Sequence, residues 1–530
     1  MRKFLFKILC LAAAITAALF WFESDGGILA DTSPLGMDDS SGWLTGHSQD
    51  SKSFDVLETI HSGMLRVEMP WNKVEPSAGA FVWSFQSDTG YVDYKAIFSR
   101  LEKRGIQPVV ILDGGPVYLS SLYPQQPAST ESLLENWQNY VSAAVQQFGS
   151  QVDYWQIGGV INDPSYWGSL LYPLDEGAQA EADLELYVKM LKSAYTIIKS
   201  SSAGDTVILG ELALNGDCAQ HPLFYLQNIN EKEAWYDFDT VAIRLPALDD
   251  APDNTAVDAC GFNSLQPSGV ALTDPVKAIG EFMGEIDPKP VWVTNLSLSQ
   301  DLVAARAAER MTLPEVVESD YLARASGLLL AYGGVDKIFW HYAPQDGQPA
   351  VIALQSFANL SQTLSTNASH DNASTSADFK VLRFRKNGRL AILTWRAKGG
   401  DEAQALVIPD VAGYKLKAYT SDTDSLKASK GVKMNVDAGG STALMVSERP
   451  ILISGRLSNL KESLSAMLSE NSEQAGRELQ NRLTGWVQVQ KNKAADQVGN
   501  WVAKQQASLL DILRSSFQQW IRQSLGLAKK

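Results

Sequence analysis

The stretch GMLRVEMPWNKVEPSAGAFVW, residues 63–83, opens with a short apolar run and continues into a turn rich in proline and glycine. Met64 to Met69 has the length and the apolar content of a buried strand, and Pro70 follows where such a strand would end. Comparable runs recur along the chain as far as His341. The stretch therefore predicts one unit of a repeated strand-and-helix fold.

Between Gly42 and about Ala368, runs rich in Val and Ile alternate with amphipathic segments of helical period. This alternation is typical of parallel strands joined by helices. Eight such units predict a (β/α)8 TIM barrel, in which the C-terminal ends of the strands and the loops after them form the site. The predicted strands are Trp43 to Gly46, Met64 to Met69, Pro108 to Asp113, Val152 to Gly158, Thr206 to Gly210, Phe238 to Arg244, Pro290 to Thr294 and Lys337 to His341.

The composition divides the chain of 530 residues into five predicted parts. Residues 1–30 form a signal peptide or a membrane anchor, residues 31–368 the barrel, and residues 369–377 a polar linker. Residues 378–455 contain short strands typical of a small antiparallel β-domain, and residues 456–530 carry apolar side chains at helical spacing. The predicted fold class is thus α/β, a TIM barrel followed by a small antiparallel β-domain and an amphipathic helical tail.

The charge of the chain limits the kinds of molecule that it is expected to bind. The formal net charge is −15, and phosphate neutralisation needs clustered Lys and Arg, so nucleic acid is not expected as a partner. The tail is the exception, because Arg456 to Lys530 holds 11 Lys and Arg against 6 Asp and Glu, a net charge of +5. Its helices would dock on the rest of the chain, form an oligomer, or contact a membrane surface or an anionic polymer.

The N-terminus has the pattern of an export signal. Arg2, Lys3 and Lys7 precede the apolar run Ile8 to Phe22. The run approaches the length of a membrane span, so a cleaved signal and a retained anchor both stay open. Either one predicts an extracytoplasmic protein, secreted or anchored by an uncleaved N-terminal segment.

Two cysteines and two histidines lie near the predicted strand ends. Cys218 and Cys260 fall in loops after neighbouring strands, within reach of a disulfide, and two unpaired thiols are the alternative. His47 and His341 end predicted strands and could line the cleft. No cluster of His, Cys and Asp has the spacing of a metal site, so neither a metal nor another cofactor is expected.

The series Arg66, Trp71, Glu75, Gly79 and Trp83 resembles the signature around the second strand of clan A glycoside hydrolases, in particular relatives of family 39. Each segment alone is a weak signal, but the order and the spacing together indicate the fold of that clan. The resemblance covers the whole predicted barrel, continuing in residues 105–112, 154–167, 238–243, 289–294 and 333–340.

The resemblance implies an acid/base glutamate at the end of the fourth strand and a nucleophilic glutamate at the end of the seventh. The corresponding residues here are Val160 and Asn295, which cannot fill those roles. Retaining hydrolysis needs two carboxyl groups about 5 to 5.5 Å apart. Gly159 and Arg244 stand where the family usually has Asn and His. The resemblance therefore implies a barrel that keeps its cleft without the usual catalytic pair.

Displaced carboxylates are the alternative to a loss of catalysis. Glu211, Asp163, Asp113 and Glu68 lie on or just after predicted strands, although each could equally be a polar lining residue or a salt-bridge partner. Paired acid/base catalysis would need two of them within roughly 10 Å.

Aromatic and basic side chains could bind a sugar without cleaving it. An indole face stacks on a pyranose ring, and packing at the barrel rim is the alternative role for each tryptophan. Arg66 is expected to brace the pocket floor, while Arg244 could bind an acidic sugar or pair with Asp249 or Asp250. The tryptophans at or near strand ends are Trp71, Trp167 and Trp340.

Three hypotheses for the function follow. The favoured one is a non-catalytic, exported pseudoglycosidase that binds a glycan, an envelope polysaccharide or a partner protein. The second is an active glycosidase or transglycosidase that uses displaced carboxylates and would lose turnover on Glu211→Gln or Asp163→Asn. The third is a structural envelope protein in which the barrel is a spacer and the tail mediates assembly.

Overall fold

The computed structural model describes residues 33–40, 42–46, 57, 62–114, 130–163, 176–214, 221–255, 270–341, 351–366, 368–370, 378–386, 389–397, 402–420 and 431–457. The strands in this part of the chain are β1 Leu35–Asp38, β2 Met64–Pro70, β3 Ser84–Gln86, β4 Tyr91–Asp93, β5 Gln107–Asp113, β6 Tyr154–Val160, β7 Thr206–Ala213, β8 Val241–Arg244, β9 Val291–Leu296, β10 Lys337–His341, β11 Ala368–His370, β12 Phe379–Lys386, β13 Arg389–Arg396, β14 Gln404–Ile408, β15 Tyr414–Thr420, β16 Val432–Lys433, β17 Thr442–Val446 and β18 Ile451–Leu457. The helices are α1 Trp43–Gly46, α2 Trp71–Val74, α3 Tyr94–Lys103, α4 Thr130–Phe148, α5 Glu176–Ser201, α6 Pro222–Glu231, α7 Asp274–Gly284, α8 Gln300–Glu309, α9 Pro314–Tyr332 and α10 Val351–Thr363.

Eight parallel strands close the barrel, and the predicted TIM-barrel fold is confirmed. Around the barrel the order is β1, β2, β5, β6, β7, β8, β9 and β10, after which β10 pairs again with β1. The helices between the strands bury their apolar faces against the outside of the barrel, as strands with both faces covered require. The C-terminal ends of all eight strands therefore meet at one mouth.

The first barrel strand differs from the prediction. Trp43 to Gly46 was expected to be that strand, but these residues form the short helix α1, and β1 is Leu35–Asp38. The carboxylate of Asp39 accepts the backbone N–H groups of Leu44 and Thr45 at 2.8 Å each, which satisfies donors at the start of α1. The edges of β2 and β10 are occupied by β1 instead.

Large apolar side chains fill the barrel below the mouth. Trp292 packs at 5.6 Å from Phe339 and at 5.7 Å from Tyr154, measured between ring centroids, together with Met64. Gly36 of β1 lies against the ring of Phe339, where a Cβ atom would come within 2.5 Å of Cε1. Met64, Trp292 and Phe339 are at most 5% exposed, so they fill the barrel interior below the mouth.

The second domain is antiparallel, as predicted. Its six-stranded sheet has the order β11-β12-β13-β18-β15-β16, and β14 pairs with β17 in a separate ribbon. Because β11 pairs with β12, residues 368–370 belong to this sheet rather than to the barrel or the linker. Leu382 and Leu393 of the sheet pack against Gly327 of α9, which joins the two domains. The N-terminal segment 1–30, most of the linker, and the tail beyond Leu457 lie outside the described residues.

Candidate functional site

Arg66 lies at the centre of a buried polar network below the mouth. Its Nη1 contacts Asp38 Oδ1 at 2.7 Å, its Nη2 contacts Glu211 Oε1 at 2.8 Å, and its Nε donates to Gln156 Oε1 at 3.0 Å. Burial alone would lower the pKa of Arg66, but the charges of Glu211 and Asp38 raise it instead. Arg66 thus braces the floor, the role expected from the sequence, and stays cationic.

Asp38 accepts contacts from four side chains. Besides Arg66, its Oδ2 lies 2.9 Å from His341 Nδ1, 2.7 Å from the Ser40 hydroxyl and 3.2 Å from Asn295 Nδ2. Burial would raise the pKa of Asp38, but the positive charge of Arg66 and these hydrogen bonds lower it to about 2. Asp38 is therefore an anion that positions its neighbours, and it is not a proton donor at neutral pH.

Glu211 is the second carboxylate of the network. Its Oε1 accepts the Thr294 hydroxyl at 2.6 Å in addition to the contact with Arg66. Its Oε2 faces Arg244 Nη1 at the longer distance of 3.6 Å, and the Arg244 side chain is 41% exposed. Arg244 is paired with Glu211, and the prediction that it pairs with Asp249 or Asp250 is wrong. Asp250 instead lies near Arg306, at 3.8 Å.

Asn295 and His341 complete the network on neighbouring strands. Asn295 is buried, donates to Asp38, and accepts the Ser297 hydroxyl at 3.2 Å through Oδ1. His341 turns Nδ1 toward Asp38, and its side chain is 24% exposed. The opposite ring nitrogen, Nε2, therefore points away from the buried carboxylate. The amide of Asn295 is held at both ends, and no carboxylate occupies this position.

Glu68 and Asp113 form a second acidic group at the mouth, on strands β2 and β5. They lie on adjacent strands whose register pairs Pro70 with Asp113, and both side chains are half-buried. Burial, followed by the negative charge of Asp113, raises the pKa of Glu68 to about 7. Asp113 Oδ1 accepts the N–H of Gly114 at 2.6 Å. Glu68 can therefore hold a proton near neutral pH.

Val160 and Asp163 lie at the end of β6. Val160 pairs with Glu211 across the strands and is half-buried, so an aliphatic side chain stands at this point of the mouth. Asp163 follows three residues later, and its N–H donates to the carbonyl of Val160 at 3.1 Å.

Trp71 and Trp340 are buried, and this corrects their expected role as stacking platforms. The ring of Trp71 is inaccessible and stacks on Tyr140 at 5.4 Å with an interplanar angle of 8°. Trp340 precedes His341 and, by the alternation along β10, points outward, where it stacks on Phe357 at 5.6 Å. Neither ring offers a free face to a ligand in the mouth.

Several predicted site residues lie outside the described residues. These are Trp167, His47 and the pair Cys218 and Cys260, for which the disulfide stays a prediction. The element before His47 is helix α1 rather than a barrel strand. Within the described ranges, no group of His, Cys, Asp and Glu could hold a metal ion, and no helix is long and apolar enough to cross a membrane.

The two network carboxylates satisfy the distance criterion for paired catalysis but not its chemistry. Asp38 and Glu211 contact terminal nitrogens of one guanidinium, so they lie within about 8 Å of each other. Both are nevertheless buried and ion-paired, which leaves neither free to protonate a leaving group. Glu68, whose pKa is raised, and Asp113 on the adjacent strand are further carboxyl groups of the described mouth.

Sequence reasoning missed Asp38, Gln156 and Thr294, together with the serines Ser40 and Ser297 that hydrogen-bond to the network. Asp38 was missed because the first strand was placed eight residues too late. The signal was present in Leu35–Asp38, a short apolar run that ends in Asp38-Asp39. Gln156 and Thr294 lie inside predicted strands and face the barrel interior, which strand alternation could have indicated.

The fold is similar to that of solved glycoside hydrolases. A family 39 glycoside hydrolase from the gut symbiont Bacteroides cellulosilyticus WH2 matches with a TM-score of 0.56 and 18% identity over 81% of this chain and 82% of that chain. A glucosidase from Croceicoccus marinus matches with a TM-score of 0.51 and 12% identity over 81% and 97%. The catalytic domain of family 30 xylanase C from Talaromyces cellulolyticus matches with a TM-score of 0.50 and 11% identity over 80% and 96%.

These likenesses establish a glycoside-hydrolase-like barrel. At such identities they show the fold and do not carry over a substrate or an activity. No family model matches the chain, and no curated protein does.

Proposed function

We propose that this protein is an exported relative of clan A glycosidases that binds a glycan at the barrel mouth without hydrolysing it. The observation that carries the proposal is the environment of Asn295. The resemblance expects a nucleophilic glutamate there, and the amide instead donates to Asp38 at 3.2 Å and accepts from Ser297 at 3.2 Å. A neutral group held in this way can orient polar ligands but cannot attack an anomeric carbon.

The rest of the network supports binding over cleavage. Arg66 holds Asp38 and Glu211 as buried anions, and a proton donor must be able to give up a proton near the working pH. Val160 stands where the resemblance expects the acid/base glutamate. The polar groups that remain at the mouth, among them Ser297 and His341, are fixed by hydrogen bonds and could contact sugar hydroxyls.

The test uses the full chain and a panel of α- and β-linked oligosaccharides. Binding is recorded by calorimetry, and product formation is recorded by mass spectrometry in the same samples. Binding with intact ligand is expected, and His341→Ala is expected to weaken it, because the imidazole is partly exposed at the mouth. Arg306→Gln, which changes an exposed residue of α8, is the control. Turnover by the unmodified chain would contradict the proposal.

A displaced-carboxylate hydrolase is the second candidate, and Glu68 favours it. Its pKa of about 7 suits a general acid, and Asp113 on the adjacent strand could act as the base or the nucleophile. If this candidate is correct, Glu68→Gln and Asp113→Asn each abolish product formation while oligosaccharide binding persists. Glu211→Gln would also disturb the buried network, so a loss of activity in this variant would not separate a catalytic role of Glu211 from a structural one.

Export is part of the proposal and rests on residues 1–30. Fusing this segment to a reporter that is active only outside the cytoplasm tests it. Reporter activity is expected, and activity retained after deletion of Ile8 to Phe22 would contradict the assignment.

A further inference from the structure

Three neighbouring strands bring a cation, a neutral amide and an imidazole to one wall of the mouth. The register pairs Arg244 of β8 with Asn295 of β9, and Leu296 pairs with Trp340, the residue before His341 on β10. Adjacent strands are about 4.8 Å apart, so a single sugar residue could contact both Arg244 and His341, with the buried Asn295 between them. From this arrangement we infer that the wall formed by Arg244, Asn295 and His341 binds the carboxylate of a uronic acid residue. The inference rests on the proposed glycan-binding function and names the class of glycan.

Arg244 can turn toward a ligand without leaving a buried charge unpaired. Its partner Glu211 already contacts Arg66 at 2.8 Å and Thr294 at 2.6 Å, whereas Arg244 Nη1 lies 3.6 Å away. The Arg244 side chain is also 41% exposed, so a ligand can reach it from solvent. A guanidinium binds a carboxylate through two parallel hydrogen bonds, which suits a uronate better than a neutral sugar.

His341 supplies a second contact of fixed direction. Its Nδ1 lies 2.9 Å from the buried Asp38 carboxylate, which fixes the ring orientation and turns Nε2 away from Asp38. The ring is 24% exposed, so Nε2 can accept a hydrogen bond from a sugar hydroxyl in the mouth.

Asn295 gives the wall its electrostatic character. Within the network, the charges of Arg66 and Arg244 balance those of Asp38 and Glu211. A glutamate at position 295, which the resemblance would predict, would add a negative charge beside Arg244 and repel an anionic ligand. The acidic groups Glu68 and Asp113 lie on β2 and β5, across the mouth. A uronate would therefore bind with its carboxylate toward β8 to β10.

The experiment compares acidic sugars with neutral forms of the same sugars. The probes are tetramers of galacturonate, mannuronate and glucuronate, and the methyl esters of the same tetramers, titrated into the full chain by calorimetry. At least one uronate should bind tenfold or more tightly than its ester, because a hydrogen bond to a charged group contributes about a factor of ten in affinity. Raising the salt concentration should reduce the difference in affinity between the uronate and its ester, because salt screens the attraction between the charges.

Matched variants test whether Arg244 is the residue that causes the preference for the uronate over its ester. Arg244→Gln should remove the preference for the uronate, and Arg244→Lys should retain part of it, since the charge remains but the planar fork is lost. Arg306→Gln removes a cation from a side chain of similar exposure, 35%, that pairs with Glu309 on the same helix, and it should leave binding unchanged. Thermal unfolding of each variant confirms that it folds.

The outcomes separate this inference from the proposed function. Binding of neutral oligosaccharides with no preference for any uronate would overturn the inference and leave the proposed function standing. A preference that Arg244→Gln leaves intact would likewise overturn it. Binding of no oligosaccharide of either kind would overturn both.

Discussion

Asn295 illustrates how a single amide can hold a buried acidic network together. Its Nδ2 donates to Asp38 Oδ2 at 3.2 Å, and both residues are at most 2% exposed. Any acidic replacement would bring a second carboxylate against the first in a place that water does not reach. Two such groups cannot both ionise at low cost, so one of them would have a raised pKa.

We expect Asn295→Asp to destabilise the protein by about 2 to 4 kcal/mol at pH 8. The new carboxyl would have a higher pKa in the folded than in the unfolded protein, so the penalty should shrink as pH falls toward 5 and the group takes up a proton. Urea unfolding at both pH values measures this. Asn295→Ser, which removes the amide without adding a charge, should show a penalty that does not change with pH.

Glu68 makes a pH-dependent contribution to stability. Burial and Asp113 raise its pKa from 4.5 to about 7 in the folded protein. Between these values the folded state holds a proton that the unfolded state has released, so stability falls as pH rises from about 4.5 to 7.

Glu68→Gln removes this penalty. The variant should match the original chain in stability at pH 4 and exceed it by about 3 kcal/mol at pH 8, because 2.5 pKa units correspond to that free energy. Chemical unfolding at a series of pH values gives the difference curve. A constant difference across the series would mean that the pKa of Glu68 is the same in the folded and the unfolded protein.

Among the elements, β1 depends on close contact with its neighbour. Gly36 pairs with Phe339 of β10, and a Cβ atom at Gly36 would lie 2.5 Å from Cε1 and 2.7 Å from Cδ1 of that ring. The ring is buried among Trp292 and other apolar side chains, so it cannot move aside cheaply.

We expect Gly36→Ala to destabilise the protein by about 1 to 3 kcal/mol through this overpacking. Gly280 in α7 is the control, since a Cβ atom there meets nothing within 4 Å and alanine favours a helix. Gly280→Ala should be neutral or stabilising. Equal effects of the two substitutions on the unfolding midpoint would contradict a packing role for Gly36.

The elements also show what the sequence could and could not predict. Seven of the eight barrel strands were placed correctly, because each is an apolar run bounded by turn residues. The first was misplaced, since Leu35–Asp38 has only four residues, while Trp43–Gly46 looks equally apolar. What distinguishes the two segments is pairing with β2 and β10, which are distant in sequence.

The candidate site was predictable only in part, for a related reason. Arg66, Glu211 and Asn295 were singled out from strand ends, but their convergence on Asp38 depends on how the barrel closes. The direction of Trp340 was misjudged because one residue along a strand reverses the face, and His341 faces inward instead.

At the scale of the whole molecule, buried polar contacts tie the barrel to the β-domain. Asp253, in the loop after β8, accepts Arg324 Nε of α9 at 2.7 Å and Trp395 Nε1 of β13 at 2.9 Å. Arg310 contacts both Asp320 of α9 and Glu448 of the β-domain. The β-domain thus contacts the barrel through α9 and the loop after β8.

The last prediction concerns this contact. Asp253→Asn keeps the shape of the side chain but leaves the buried guanidinium of Arg324 without a compensating charge, which should destabilise the protein by about 3 kcal/mol. Trp395→Phe removes one hydrogen bond to the same carboxylate and should cost about 1 kcal/mol, together with a smaller packing loss.

Scanning calorimetry would distinguish the two effects. If the two domains stabilise each other through Asp253, the original chain should unfold in one transition, and Asp253→Asn should split it by releasing the β-domain at lower temperature. Trp395→Phe should lower the midpoint while preserving a single transition. A single, unshifted transition for Asp253→Asn would mean that apolar packing of Leu382 and Leu393 against α9 is sufficient to hold the domains together.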